Sequence, residues 1–303
     1  MPADQGQITI TFSEPVAIDS IDPVRMNGQF FWVQAQMPGE PSLDGTGTVL
    51  TVPLPAELPA GLPLEVVLAG YADVNGNVQD AETAWSVTVA GEADPYPVSD
   101  GHRYIMVGDW EEGPLGSDTP TSSDEHWIFF EQGARQTAGQ WELREYGWEF
   151  DAVEYYEILE VSASSVDLLG FAELDGGEFV EFIISSPLTM AELPMSAGNS
   201  WSSSGTVTMP DATFTATMAG TAVGQEDLAV PGLEGIGVTW TDVWRLTRTV
   251  TITSGGETVS TEEGTLWFAP GIGLVREVYR EENYEPGETG WYQYDNWLQV
   301  ETP

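Results

Sequence analysis

The sequence predicts an all-β chain: a small β-sandwich followed by a larger curved antiparallel sheet or partly open barrel. Three observations carry this. Short runs alternating apolar and polar residues recur through the first ninety or so positions, separated by Gly, Pro and Asn clusters. Longer alternating runs fill the rest, several beyond ten residues, and strands of that length belong to strongly curved sheets or barrels. Only Asp151 to Val161 could be a helix, and its Tyr155, Tyr156, Ile158 and Leu159 fit a strand equally well.

The first domain spans residues 1–91. Ile8-Thr9-Ile10-Thr11-Phe12, Val49-Leu50-Thr51-Val52, Leu64-Glu65-Val66-Val67-Leu68 and Trp85-Ser86-Val87-Thr88-Val89 read as strands. Pro38-Gly39, Gly45-Thr46-Gly47, Pro59-Ala60-Gly61 and Asn75-Gly76-Asn77 separate them as turns, the last with the Asn-Gly signal of a type I′ hairpin. Phe12-Ser13-Glu14-Pro15-Val16, Leu58-Pro59-Ala60-Gly61, Tyr71-Ala72-Asp73-Val74-Asn75-Gly76-Asn77 and Trp85-Ser86-Val87-Thr88 follow one another in an order that resembles the bacterial Ig-like domain of surface and S-layer proteins. The resemblance implies a seven-strand sandwich used as a spacer or adhesion module, with no catalysis.

Residues 92–97 are a short linker, stiffened by Pro95 and Pro97. The second domain, 98–303, offers strands at Arg103–Trp110, Trp127–Glu131, Gln140–Phe150, Ser165–Phe171, Phe179–Ser185, Gly205–Met209, Thr213–Ala219, Ile236–Ile252, Val259–Phe268, Leu274–Glu281 and Gly290–Val300. Within it, Leu266 to Tyr279 reads as strand, tight turn, strand. Pro270 fixes φ, while Gly271 and Gly273 permit φ > 0. This hairpin is expected to be the seam of the larger sheet. Pro97–Tyr104 and Pro194–Trp201 share Pro, Ser and Gly at matching places, so two similar halves and coincidence both remain open.

Gly198-Asn199-Ser200-Trp201, Thr208–Phe214 and Trp267–Val275 are also similar to a loose group of secreted β-rich bacterial proteins and lipoproteins without known activity. That likeness implies a curved sheet related in shape to half-barrel carriers, and supplies no catalytic residues. The lipid-anchoring Cys of such lipoproteins has no counterpart here.

Composition narrows the partners. Apolar residues make up 41% of the 303 positions and aromatics 11%, which is globular. The net charge is −41 with only 19% charged residues, because cations are scarce: eight Arg and no Lys. Such a surface repels nucleic acid and anionic lipid, and suits divalent cations or simple solubility. The chain has no Cys, so disulfides, thiolate metal sites and a Cys nucleophile are excluded. No run of about 18 apolar residues suggests a transmembrane segment. Met1-Pro2-Ala3-Asp4 lacks the start of a signal peptide. Richness in Thr, Ser, Gly and Asp nonetheless favours an extracellular or cell-surface location, with the export signal absent from this sequence.

Twelve Trp is about three times the usual share. Trp291, Gln293, Asp295 and Trp297 lie on the strand face opposite Tyr292, Tyr294 and Leu298. With the tyrosine face inside, two indoles flanking an amide and a carboxylate would suit glycan stacking; the alternative is that both faces are buried. Asp73, Asn75, Asn77 and Asp80 have the alternate spacing that opens a calcium loop, competing with the hairpin reading. Asp109, Glu111, Glu112, Asp118, Asp124 and Glu125 form a second acidic stretch, read as a solvated loop. His102 and His126 stand in no metal spacing, and there is no Gly-x-Ser-x-Gly.

The residues therefore point to a non-catalytic exported or cell-surface module for adhesion, ligand binding or assembly. Its second domain is expected to hold a hollow and no reaction centre. A carbohydrate-binding protein and a carrier of an apolar ligand are the alternatives. Ca²⁺ is the one cofactor the residues suggest, and self-assembly is a further possible partnership.

Overall fold

The computed structural model describes residues 7–17, 25–26, 42–53, 63–68, 72–77, 83–88, 96–98, 103–146, 152–209, 212–230, 238–284 and 289–302. All described elements are strands. One compact unit takes Met1–Asp94 with Ala229–Trp240 and Pro270–Ile272; the other takes Pro95–Leu228, Thr241–Ala269 and Gly273–Pro303. The expected boundary at 92–97 assigned both short returning segments to the second domain.

The first unit holds β1 (Gln7–Thr11), β2 (Val16–Ala17), β3 (Arg25–Met26), β4 (Ser42–Leu43), β5 (Val49–Pro53), β6 (Pro63–Leu68), β7 (Ala72–Asp73) and β8 (Thr83–Thr88). They form small antiparallel sheets, ordered β1-β5-β4, β2-β7 and β3-β6-β8. Alternation sets the buried side: Leu50 and Val52 on β5 are fully enclosed, opposite Ile10 and Ile8 of β1.

The second unit is one antiparallel sheet of twelve strands. They are β9 (Arg103–Gly113), β10 (Ser122–Ala134), β11 (Gln140–Tyr146), β12 (Val153–Val161), β13 (Ser165–Asp175), β14 (Glu178–Glu192), β15 (Ser200–Thr208), β16 (Thr213–Val230), β17 (Val238–Ser254), β18 (Glu257–Ala269), β19 (Gly273–Asn283) and β20 (Gly290–Thr302). The order is β14-β13-β12-β11-β10-β9-β20-β19-β18-β17-β16-β15, a run of neighbours in sequence joined where β9 meets β20. Asp151–Val161, open between helix and strand, gives strand β12. Register shifts in β13 and at Trp267/Phe268 bend the strands.

The hairpin β18–β19 has the turn chemistry read from sequence, with φ of +77° at Gly271 and +97° at Gly273. It is not the seam. It lies inside the sheet order, and the two edges, β14 and β15, come together elsewhere. There serine hydroxyls replace a backbone ladder. The Thr206 amide donates to Ser185 Oγ at 2.9 Å, the Thr189 amide to Ser203 Oγ at 2.7 Å, and Trp201 Nε1 to the Thr189 carbonyl at 2.8 Å. Pro187 on β14 has no N–H to offer a ladder, a restriction that keeps proline at sheet edges. The result is a nearly closed, barrel-like sheet.

Apolar packing sits along that seam and at one end. Ile184, Leu188, Val207, Ala216, Met218 and Val250 form one cluster. Val166, Ala191, Met195, Trp201, Leu246, Leu266 and Phe268 belong to another, with Tyr96 packed against it. Two of the large indoles lie across glycines on the neighbouring strand. Trp201 faces Gly220 and Trp291 faces Gly113, and a Cβ at either glycine would meet the ring at 2.3 Å and 2.7 Å respectively.

Candidate functional site

Strand alternation sorts the charged groups of the second unit onto two faces. Outward lie ion pairs, most of them between strands. Arg103 and Arg144 both reach Glu131, Arg135 bridges Glu142 and Glu181, Arg280 reaches Glu282, and Arg276 grips Asp295 through two bonds of 2.9 and 2.7 Å. Arg245 pairs with Glu226. The scarce cations thus tie neighbouring strands together in an acidic chain. Exposed pairs of this kind contribute little individually.

One described arginine is placed differently. Arg248 lies on β17 opposite Gly264 of β18, which in turn lies opposite Tyr279 of β19 and, beyond it, Tyr294 of β20. Three carboxylates act on it, and a fourth stands beside one of them. Glu277 is nearest, 3.5 Å from Nη2. Glu262 and Glu157 act on Arg248 through space, and Glu145 on Glu157. Glu145 and Glu157 come from β11 and β12, far from β17 in the sheet order, so this cluster exists because the sheet curls round on itself.

Tyrosines line the same face. The Tyr279 and Tyr294 rings stack at 4.9 Å, and Tyr292 lies 5.7 Å from Tyr279. Tyr294 donates its hydroxyl to Glu277 at 3.2 Å; Tyr279 and Tyr292 both donate to Glu281, which also accepts Ser260 Oγ.

Burial decides the protonation. It pushes Glu157 up to about 7, against the pull of Arg248. It also raises Glu277, outweighing both the guanidinium and the Tyr294 hydroxyl. Glu145 and Glu262 rise for the same reason. Burial works against the charge on Arg248, but its carboxylate neighbours prevail and keep it firmly protonated. Desolvation also holds the Tyr294 hydroxyl well above its ordinary range.

These groups are enclosed, yet not dry. Arg248 and Glu277 keep 14% and 12% of their side-chain surface accessible, and Glu145, Glu157, Glu262 and Tyr294 are half-buried. They face the interior of the curled sheet and keep a little contact with solvent there. At Gly264 a Cβ would meet nothing nearer than 3.7 Å, with Arg248 Nε at 3.8 Å.

The sequence expected a hollow and no converging polar groups; on this inner face polar groups do converge. The signal was present. Glu157 stands between Tyr155 and Leu159, Arg248 between Leu246 and Val250, and Glu277 between Val275 and Tyr279, at positions where alternation calls for apolar residues.

The residues singled out from sequence are placed as follows. Trp291, Gln293, Asp295 and Trp297 do share the outward face, opposite the tyrosines. Trp291 is only 3% exposed, its Nε1 donating to the Ser117 carbonyl at 2.6 Å and Arg280 lying 4.5 Å over its ring. Gln293 bonds Glu111 and Arg280, and Asp295 is committed to Arg276. Trp297 is half-buried with its Nε1 enclosed. The expected exposed pair of coplanar indoles is not formed, because Arg280 and the Ser117 turn cover Trp291.

Asp73, Asn75 and Asn77 come together; Asp80 lies outside the described residues. The Asp73 carboxylate accepts the backbone amides of Asn75 and Asn77 at 2.8 Å each and the Asn77 side-chain amide at 2.6 Å. The Asn77 amide first, then the others, lower its pKa. Of this turn only Gly76 has φ > 0, so it is not the type I′ hairpin that Asn-Gly suggested: the aspartate holds it instead. Among the described residues no three His, Asp or Glu side chains are grouped to hold a metal ion. The acidic stretch is a hairpin, not a loop: Asp109, Glu111 and Glu112 lie on β9, and Asp124 and Glu125 on β10. His126 lies on β10 opposite Gly108; His102 lies outside the described residues.

No family model matches the chain, and no curated protein does. One solved structure to which it is similar is the hypothetical lipoprotein YmcC from Escherichia coli (K12), at 13% identity and a TM-score of 0.28, over 64% of this chain and 83% of that one. A likeness of that size adds nothing to the fold seen in the strands themselves. No described helix is long and apolar enough to cross a membrane.

Proposed function

We propose that this chain is a non-catalytic binding module of an exported or cell-surface protein, and that its second unit holds a small ligand inside the barrel-like sheet. The first unit then serves as the spacer that its Ig-like motifs suggest. One observation supports this above the others: the enclosed, water-accessible lining around Arg248. A buried ion cluster contributes less to stability than apolar residues of the same volume would. A fold needing only stability has no use for it, whereas a ligand site does. An apolar cluster runs along the seam, and its Val250 stands two residues from Arg248 on the same face of β17.

The test is uptake of a fluorescent apolar probe, N-phenylnaphthylamine, by the full chain and by Gly264→Leu. A Cβ at this glycine sits at ordinary contact distance from its neighbours, and the larger leucine is chosen to fill the space beside Arg248. Emission should rise with the native chain and fail to rise with the folded variant. Equal emission from both places the probe elsewhere and removes the reading.

A second reading, acid–base catalysis, draws on Glu157, because an enclosed carboxyl near neutrality suits a general acid. Turnover of nitrophenyl glycosides or esters, lost in Glu157→Gln, would establish it. Calcium at Asp73 would require both Asn amides to turn over, and an unchanged melting midpoint with chelator would dismiss it. Self-assembly would use the exposed Leu174, Phe179 and Ile183 at the β13–β14 hairpin end, and concentration-dependent light scattering tests it.

A further inference from the structure

Resting on that reading of the hollow, we infer that its ligand is an organic cation: an ammonium or guanidinium group carried on an apolar body. The lining is unbalanced. Glu157, Glu262 and Glu277 share one arginine, Arg248, and Glu145 stands beside Glu157. Glu277 takes the ion pair and the Tyr294 hydroxyl. Glu157 takes neither. It is enclosed, and no donor among the described residues hydrogen-bonds its carboxylate. An enclosed carboxylate without a donor is costly unless something supplies one.

The surroundings say what supplies it. The acids are spread over β11, β12, β18 and β19 and not gathered at one point, which does not suit a metal ion. Stacked tyrosine rings beside them present the negative faces that attract a cationic nitrogen, and the outer surface already uses such contacts at Arg280 over Trp291 and Arg276 over Trp267. An anion would meet the carboxylates with one arginine already committed. Val250, on the face of β17 that carries Arg248, belongs to the seam cluster and is the apolar neighbour such a body would meet.

Three matched probes decide it: phenylethylamine, phenylethanol and phenylacetate, titrated by calorimetry into the full chain at pH 8. Salt is kept at about 0.3 M, so that long-range attraction to the acidic surface is screened. The amine should bind about tenfold or more tighter than the alcohol, and the acetate should not bind. Glu157→Gln, and separately Glu145→Gln, should erase most of that preference. Glu263→Gln, which removes the same charge from an exposed position on β18, should leave it intact. If the alcohol binds as well as the amine, or the preference survives both interior variants, the cation is wrong while the hollow remains a binding site. If none of the three binds, the hollow is not a binding site for such bodies and both readings fall.

Discussion

Glu157 on β12 and Arg248 on β17 act on each other across the interior, although their strands are third and tenth in the sheet order. Their meeting is a product of curvature alone. It also fixes a stability dependence that can be measured.

Burial holds the Glu157 carboxyl at about 7, above its ordinary 4.5. A folded-state pKa above the unfolded one means that the folded state holds the proton more tightly. The group's contribution is therefore fully present below about pH 4.5 and is lost as pH rises through about 7. The ceiling on that loss is about 3 kcal/mol, lowered by the water that reaches the hollow. Glu157→Gln should match the native chain in acid and exceed its stability above neutrality. Urea unfolding from pH 4 to 8 checks this, and a difference that does not change with pH would remove Glu157 from the interior cluster.

Arg248 is the counterweight to Glu157, Glu262 and Glu277. Arg248→Met should cost about 3–5 kcal/mol at pH 8, because it leaves enclosed anions unpaired. The cost should shrink at pH 5, where Glu157 holds its proton. Adding Glu277→Gln should restore part of the loss, a coupling that a double-mutant cycle in urea reads directly.

Much of this fold was legible because alternation is local. The opposed faces of β20, with Tyr292 and Tyr294 on one side and Trp291 and Trp297 on the other, follow from a period of two. The turn at Pro270–Gly273 follows from φ requirements. The seam was not legible, because nothing near the β18–β19 hairpin says which strands become edges. The marker lay elsewhere, in Pro187 among serines. The interior cluster was legible only as a rule broken, and the break was spread over 120 residues between Glu157 and Glu277. The glycan expectation at Trp291 missed its cover, because Ser117 and Arg280 reach that ring from a turn and a neighbouring strand.

The seam should be the first part of the barrel to open. Ser203 Oγ takes the Thr189 amide, and Gly205 lies so close to β14 that a Cβ would stand 2.3 Å from both Ile184 Cγ2 and the Ser186 carbonyl oxygen. Ser203→Ala leaves an amide without its acceptor, at about 1–2 kcal/mol. Gly205→Ala forces the edges apart, at about 1–3 kcal/mol. Hydrogen exchange should quicken at Thr189 and Thr206 in both variants and stay unchanged at the β9–β20 junction. Uniform quickening would mean that the seam is no weaker than the rest.

Trp291 separates a structural indole from a binding one. Its ring spans Gly113, with Arg280 above and the Ser117 carbonyl on its nitrogen. Trp291→Ala should cost about 3–5 kcal/mol, as large aromatic truncations in a packed site do. Gly113→Ala should cost about 1–3 kcal/mol by pushing the ring from its seat, without removing any indole surface. Both losses would appear in urea unfolding, while indole emission should not respond to added oligosaccharide. A Trp291→Ala chain of native stability that had lost affinity for a sugar would reverse the assignment and return the outward face of β20 to glycan binding.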